Sequence, residues 1–240
     1  MSIQAKVVKD IDKIEPGKMF TYQALTAWKL SPESTVKAMS RLVGRGQIRR
    51  FSKGVFYRPK QGILGEILPS DSEKIRLSLY EGEVRIGYVT GLSLYNRMGL
   101  TTQIPKTVTI ATGKARQKKK LGNINIKLIP SKAPVNEQNR EYLEVLDALT
   151  DIKNIPDSQP YEILNLLSQK IECLDERSLN VLVQLAKKYY PPATKALLGL
   201  ILGSNGYAIS RLLAEDLNPT THYNIGLKGY WAQAKEWKIT

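Results

Sequence analysis

Hydrophobic positions near the start of the chain recur every three or four residues, and this spacing predicts three consecutive helices. The first helix extends from Ile3 to Ile14 and is ended by Pro16-Gly17. A short second helix is predicted from about Tyr22 to Trp28. The third begins at Ser31-Pro32, because serine is a frequent N-cap and proline fits the first turn of a helix.

The third helix, PESTVKAMSRLVGRG, is amphipathic. Its apolar face is predicted to carry Val36, Met39 and Val43, with Leu42 beside them. The opposite face combines cations and a hydroxyl with a small residue that permits close approach. A short helix, a turn and a basic amphipathic helix in this order predict a helix-turn-helix, whose last helix enters the major groove of DNA. The residues expected on its DNA-facing side are Ser34, Lys37, Ala38, Arg41 and Arg45.

Two short runs rich in β-forming residues follow the third helix, Gln47–Phe51 and Val55–Tyr57. Ser52-Lys53-Gly54 joins them, and its glycine supplies the positive φ that a tight hairpin commonly requires. A hairpin directly after a recognition helix is the wing of a winged helix. The alternation of the strand does not decide whether Arg50 or Phe51 faces the duplex. The wing cations expected to contact phosphates are Arg49, Arg50, Lys53 and Arg58.

Beyond the wing, the pattern predicts a larger domain in which strands precede helices. Residues 106–113 and 122–130 are predicted strands, because they are rich in β-branched residues or alternate apolar with polar positions. Dense leucine at helical spacing predicts helices after Pro134. The predicted class is α+β: a winged helix-turn-helix domain at 1–60, a linker at 61–69, and a domain at 70–240 with a small β-sheet and a C-terminal helical region.

The excess of positive charge indicates a polyanionic partner. The net charge is +14, and residues 1–60 hold 13 Lys/Arg against 4 Asp/Glu. The stretch from Val84 to Asn136 has ten Lys/Arg and no acid, whereas Glu137 to Asn180 has four bases against ten acids. The run KARQKKK lies between the two predicted strands, where it forms either a second polyanion contact at a hairpin tip or a mobile solubilising loop. Its cations are Lys114, Arg116, Lys118, Lys119 and Lys120.

Several classes of protein are excluded or disfavoured. The longest apolar run, ALLGLILG, is far shorter than the roughly 18 residues of a membrane span, and the N-terminus has no apolar signal region, so we expect a cytoplasmic protein without membrane contact. The single cysteine, Cys173, excludes an intrachain disulfide and is expected to be a small buried hydrophobe.

The competing hypothesis is that the protein is an enzyme, namely a nuclease that its DNA-binding domain brings to its DNA substrate. Metal-dependent nucleases need convergent carboxylates, yet both predicted strands of the second domain lie in the acid-free stretch. The one histidine, His222, has no nucleophile elbow near it, and Ala111-Thr112-Gly113-Lys114 lacks the spacing of a phosphate-binding loop. We therefore expect no catalytic residues, no metal and no cofactor.

The order of motifs along the chain resembles the AbiEi-like antitoxins of type IV toxin-antitoxin systems. The likeness lies in the KGVFY wing, YVTGLSLYNRMGLTTQIP, TVTIAT, LAKKYYPPATKALLGLIL and LNPTTHYNIGL. The resemblance implies an N-terminal domain that represses its own operon and a C-terminal domain that counteracts a nucleotidyltransferase-like toxin without forming a stable complex with it. By position, the family's groove and wing residues correspond to Ser34, Lys37, Arg41, Arg49, Arg50 and Lys53.

The expected partner is therefore double-stranded DNA, with two copies of the chain on an inverted-repeat operator. An alternative stays open. The same sequence features are consistent with a winged-helix transcription regulator whose second domain senses an unrelated ligand or protein.

Overall fold

The computed structural model describes residues 2–227 and 229–240. Their contacts divide the chain into two compact units. The first comprises Met1–Ile86 together with Lys119–Ile126, and the second comprises Gly87–Lys118 and Lys127–Thr240. Helices and small sheets alternate along both units, which confirms the predicted α+β class.

Three helices form the core of the first unit: α1 (Ile3–Asp12), α2 (Thr26–Leu30) and α3 (Pro32–Gly44). The Asp10 carboxylate joins α1 to the start of α2, because it accepts hydrogen bonds from the Thr26 hydroxyl at 2.8 Å and the Ala27 amide at 3.3 Å. The short helix predicted at 22–28 is divided into a 3-10 turn, Tyr22–Ala24, and α2. The core is formed by Val7, Ile11, Phe20, Leu25, Ala27, Ala38, Met39, Leu42, Ile48 and Phe56.

The wing is part of a three-stranded antiparallel sheet. Its strands are β1 (Met19–Thr21), β2 (Arg49–Ser52) and β3 (Val55–Tyr57), in the order β1-β3-β2. Because Ser52 pairs with Val55, the turn has two residues, Lys53-Gly54, instead of the predicted three. A register shift between Arg50 and Ser52 produces the imperfect alternation seen in the sequence.

The remaining elements of the first unit follow the wing. They are β4 (Lys60–Gly62), β5 (Gly65–Ile67), α4 (Asp71–Leu79), β6 (Tyr80–Glu81) and β7 (Val84–Arg85). The segment 61–69, for which the sequence predicts a linker, thus contains most of the β4–β5 hairpin. Glu73 attaches α4 to β1, because its carboxylate accepts the Met19 amide at 2.8 Å and is paired with Arg76.

The second unit contains a four-stranded mixed sheet and a helical region. The strands are β8 (Gly87–Thr90), β9 (Thr107–Thr112), β10 (Gln117–Leu121) and β11 (Ile124–Pro130), in the order β10-β11-β9-β8. The far end of the β10–β11 hairpin, Lys119–Ile126, belongs to the first unit. The helices are α5 (Leu92–Arg97), α6 (Arg140–Thr150), α7 (Pro160–Glu172), α8 (Glu176–Tyr189), α9 (Pro192–Ser204) and α10 (Arg211–Ala214).

The run KARQKKK does not form a hairpin tip. Gln117–Leu121 is strand β10, and the chain reverses two residues later at Gly122-Asn123. Gly122 has a φ of +61°, which glycine adopts without strain, so the tight turn forms there and the lysines before it pair as a strand.

The helices of the second unit pack closely around α9. A Cβ atom on Gly199 would lie 2.0 Å from the ring of Trp237, so only glycine allows this aromatic side chain to rest on the helix. Cys173, expected to be buried, is exposed just after α7. Within the described ranges, no helix has the length and apolar character needed to cross a bilayer.

Candidate nucleic-acid interface

Helix α3 begins at the predicted place. Pro32 occupies its first turn, and Ser31 is the N-cap residue by backbone conformation. The Ser31 hydroxyl does not cap the helix; it donates to the Ser34 hydroxyl at 2.9 Å. Thr35 is fully buried, and its hydroxyl is satisfied because it donates to the Ser31 carbonyl at 2.8 Å.

The buried stripe of α3 differs from the predicted one. It consists of Thr35, Ala38, Met39 and Leu42, so the helix is turned by about one position relative to the expected face. Ala38, predicted on the DNA-facing side, is 3% exposed and belongs to the core. Val36, predicted in the core, is 39% exposed. Thr35 can occupy the buried side because its one polar group bonds to the helix itself.

The cations of α3 lie on the exposed side of the helix. Lys37 and Arg41 are one turn apart and both exposed, and Arg45 is exposed at the C-cap. The Arg41 guanidinium donates to the Gln4 side chain of α1 at 3.0 Å, which gives it a defined direction. These side chains can therefore meet a ligand that approaches α3 from solvent.

The wing adds cations on β2 and at its turn. Arg50 and Lys53 are exposed, while Phe51 is half-buried, so Arg50 is the outward residue of the pair that the sequence left undecided. Arg58 has a structural role, because it donates to the carbonyls of Asp12 at 3.0 Å and Ile14 at 2.8 Å, beyond the last turn of α1. Part of its guanidinium is thereby engaged by the fold.

One acid lies beside the wing and is neutralised there. The Glu66 carboxylate accepts the Tyr57 hydroxyl at 2.7 Å and the Arg49 guanidinium at 3.2 Å. The Tyr57 hydrogen bond, followed by Arg49, holds the pKa of Glu66 below its usual range. Arg49 is thus a wing cation whose charge is largely offset by a partner.

The second basic cluster is carried by β10 and the residues before it. Lys114, Arg116, Lys118 and Lys120 are exposed, and Lys119 is half-buried. Strand alternation puts Lys118 and Lys120 on one face and Lys119 on the other. Lys119 and Lys120 belong to the same compact unit as the wing.

Comparison with known proteins identifies the family. A model described as "Family of unknown function (DUF6088)" matches residues 6–172, which is more than half of the chain. The chain belongs to the DUF6088 family. Its fold is similar to the crystal structure of RV2827C protein from Mycobacterium tuberculosis, at a TM-score of 0.50 and 14% identity over 99% of this chain and 90% of that chain. A search of curated proteins gives no match.

The sequence did not predict that two residues of this DUF6088 protein would lie on the exposed side of α3. Val36 and Ser40 lie on the solvent side of α3 beside Lys37. An apolar side chain on a recognition helix can contact a thymine methyl, and a hydroxyl can bond to several base edges. If Thr35 had been assigned to the buried face of α3, helical periodicity would have placed Val36 and Ser40 on the exposed face.

The potential metal ligands of this DUF6088 chain do not cluster in the part of it that the structure describes. No three His, Cys, Asp or Glu side chains among those residues lie close enough together to hold a metal ion. His222 is exposed in the loop that follows Pro219. The exposed groups of α3 and the wing are hydrogen-bond donors and cations.

Proposed function

We propose that this protein is a DNA-binding transcriptional autorepressor that acts as the antitoxin of a type IV toxin-antitoxin system. The observation that carries the proposal is the shared exposure of Lys37 and Arg41 on α3 and of Arg50 and Lys53 on the wing that follows it. Helix, turn, basic helix and basic hairpin in this order are the parts of a winged-helix DNA reader.

The α3 cations and the wing cations have different roles in this proposal. Arg41 reads a base edge in the major groove, where a guanidinium donates two hydrogen bonds to guanine. Lys37 lies one turn before it on the same face and contacts the adjoining position. Arg50 and Lys53 bind phosphates, which supplies affinity and register but no sequence information.

Two copies bind an inverted-repeat operator in the promoter of their own gene, with half-sites about 34 to 36 Å apart. The antitoxin role is supported by the motifs of the second unit that resemble AbiEi-like antitoxins. The toxin is nucleotidyltransferase-like and is counteracted without a stable complex. The protein works in the cytoplasm, where its operator is, and needs no cofactor and no catalytic step of its own.

Replacement of Lys37 and Arg41 together with alanine tests the DNA-binding function. Each base contact contributes about 1 to 3 kcal/mol, so operator affinity is expected to fall at least about 30-fold and the footprint to disappear. A matched control, Lys9→Ala/Lys13→Ala, removes two exposed cations from the same unit. If the Lys37/Arg41 variant protects the operator as the unmodified chain does, α3 is not the reading helix.

A second candidate is favoured by a cleft in the second unit. An open cavity of about 380 Å³ lies between Ala214, Leu217, Pro219 and Trp237, a volume that suits a small ligand. Under this alternative the protein is a winged-helix regulator whose second unit senses a ligand.

Co-expression with a neighbouring nucleotidyltransferase-like protein distinguishes the two candidates. An antitoxin restores growth, and its Lys37→Ala/Arg41→Ala variant still does so although it no longer represses the operon. A ligand-sensing regulator gives no rescue with either form.

A further inference from the structure

The turn of the β10–β11 hairpin lies beside the wing, although some seventy residues separate them in sequence. A Cβ atom on Gly122 would lie 3.3 Å from the ring of Phe51 in β2. Phe51 is the extra residue at the register shift of β2, so its half-buried ring projects from the wing toward this turn. The turn and the Phe51 ring are therefore close enough that one added methyl group would bring them into contact, and both lie within one compact unit.

A buried lysine fixes this arrangement. The Lys74 ammonium donates to Asp71 at 2.8 Å and to the Asn123 side chain of the turn at 2.9 Å, and it lies 5.9 Å from the centre of the Phe51 ring. The Lys74 hydrogen bond is the main cause that lowers the pKa of Asp71 below its usual range. Since a buried ammonium needs its partners, the turn is held in one place beside β2.

Helix α4 connects the same lysine to the wing sheet. Glu73, next to Lys74, accepts the Met19 amide of β1 through a buried hydrogen bond of 2.8 Å. The turn is thus held from two sides, by Phe51 of β2 and by a helix whose neighbouring residue is bonded to β1. A loop that served only to solubilise the protein would not need such anchoring.

Lys120 is the exposed cation closest to the anchored turn in sequence. It lies two residues before Gly122, which is about 7 Å along a strand, and β10 is an edge strand of its sheet. Lysines on an edge strand commonly prevent pairing with another chain, and that role requires charge only. The anchored turn goes further, because it keeps Lys120 two residues from a turn that lies beside the wing, whose exposed cations include Arg50 and Lys53.

We propose that Lys120 extends the wing and contacts a phosphate of the same duplex, outside those bound by Lys53. The ligand is the phosphodiester backbone of double-stranded DNA, read without regard to sequence. This inference rests on the proposed function, because it adds a phosphate contact to the same DNA interface.

The salt dependence of DNA binding tests the proposal with the full-length protein. One phosphate contact contributes about 0.9 to the slope of log K against log[salt], so Lys120→Gln should lower the slope by that amount. Affinity should fall about 4-fold at 0.2 M salt and about 15-fold at 0.05 M, equally for operator and unrelated duplexes. Lys120→Arg should restore both quantities, and Lys170→Gln, which removes an exposed cation from α7, should leave them unchanged.

A second pair of variants tests the anchoring while every cation is kept. Gly122 and Gly82 both occupy hairpin turns with a φ of +61°. A Cβ atom at Gly122 would meet Phe51 and Lys74, whereas one at Gly82 would meet no described atom within 4 Å. Alanine imposes the same backbone strain at both sites. We expect Gly122→Ala to reduce the slope nearly as much as Lys120→Gln, and Gly82→Ala to have no effect on it.

Failure of this inference is distinguishable from failure of the proposed function. If the unmodified protein binds no duplex DNA, the proposed function itself is wrong. If it binds and the Lys120→Gln slope equals that of the unmodified chain, only the extension of the wing is overturned. A Lys120→Gln variant that loses toxin neutralisation at an unchanged slope would also overturn it, because the lysine would then serve a protein.

Discussion

Each unit contains a tyrosine, a carboxylate and a cation in contact, and the two networks differ in burial. In the first unit, Glu66 accepts the Tyr57 hydroxyl and pairs with Arg49, and its side chain is 23% exposed. In the second, Asp147 of α6 is 9% exposed at its side chain and accepts hydrogen bonds from several described groups. They are Tyr88 at 2.9 Å, Thr90 at 2.7 Å, Tyr190 at 3.1 Å and Lys132 at 3.0 Å.

Burial decides what the two networks do. Water can replace a lost partner of Glu66, so that network joins the β4–β5 hairpin to the wing at little cost if it opens. Water does not reach Asp147 in the same way, so its charge must be satisfied by donors of the protein itself. Burial is the main cause that raises the pKa of Tyr88 and of Tyr190 above the usual range, and Asp147 adds to it. The buried network therefore fixes β8 and the end of α8 to α6.

Removal of Asp147 should cause the largest loss of stability. Asp147→Ala removes the carboxylate that accepts from three hydroxyl groups and one ammonium, and we expect a loss of about 3 to 5 kcal/mol in the free energy of unfolding. Urea denaturation measures it. Glu141→Ala is the matched control, because Glu141 lies on the same helix with a side chain that is 71% exposed. The control should lose less than about 1 kcal/mol. A loss of that size at Asp147 would mean that the network is hydrated.

A smaller effect is expected when one donor of the buried network is removed. Tyr190→Phe deletes the hydroxyl that donates to Asp147, while Tyr88, Thr90 and Lys132 still satisfy the carboxylate. The expected loss is about 1 to 2 kcal/mol in the same urea assay. Tyr189→Phe, at the adjacent half-buried position, should change stability by no more than about 0.5 kcal/mol. Equal effects at the two positions would show that Asp147 does not depend on Tyr190.

The partners of Asp147 could not be predicted from the sequence. Asp147 stands among leucines in α6, and the partner that gives it meaning, Tyr88, is 59 positions away. Periodicity predicted the helices around it, because the leucine stripes are long and regular. Periodicity did not indicate which distant hydroxyl groups would donate hydrogen bonds to the Asp147 carboxylate.

Short or atypical elements were missed for related reasons. Strand β1 has three residues, too few for a period to be recognised, and β10 is rich in lysine, which disfavours strands. The pairing of β10 with β11 and the turn at Gly122 decide its conformation instead. In α3 the buried face was predicted about one position away from the observed one, because threonine is a polar residue and Thr35 was therefore not expected in the core. The helix and wing were predictable; the rotation that exposes Val36 was not.

The smallest effect concerns the less buried network of Tyr57, Glu66 and Arg49, and it depends on pH. Burial first, and then the Glu66 hydrogen bond, raise the pKa of Tyr57 from 10.0 to about 12. The folded protein therefore keeps this proton more tightly than the unfolded chain, so the contribution of Tyr57 is complete below pH 10 and is lost as the pH rises toward 12. By pH 11 the loss should be about 1 kcal/mol.

The difference in unfolding free energy between the unmodified protein and Tyr57→Phe isolates this contribution from that of the other tyrosines. The difference should be constant from pH 7 to 9 and shrink above pH 10, because phenylalanine has no proton to lose. Tyr142→Phe serves as the control, since its hydroxyl bonds to Ser178 and not to a carboxylate. A Tyr57 difference that stays constant to pH 12 would mean that neither burial nor Glu66 holds the hydroxyl proton in the folded protein.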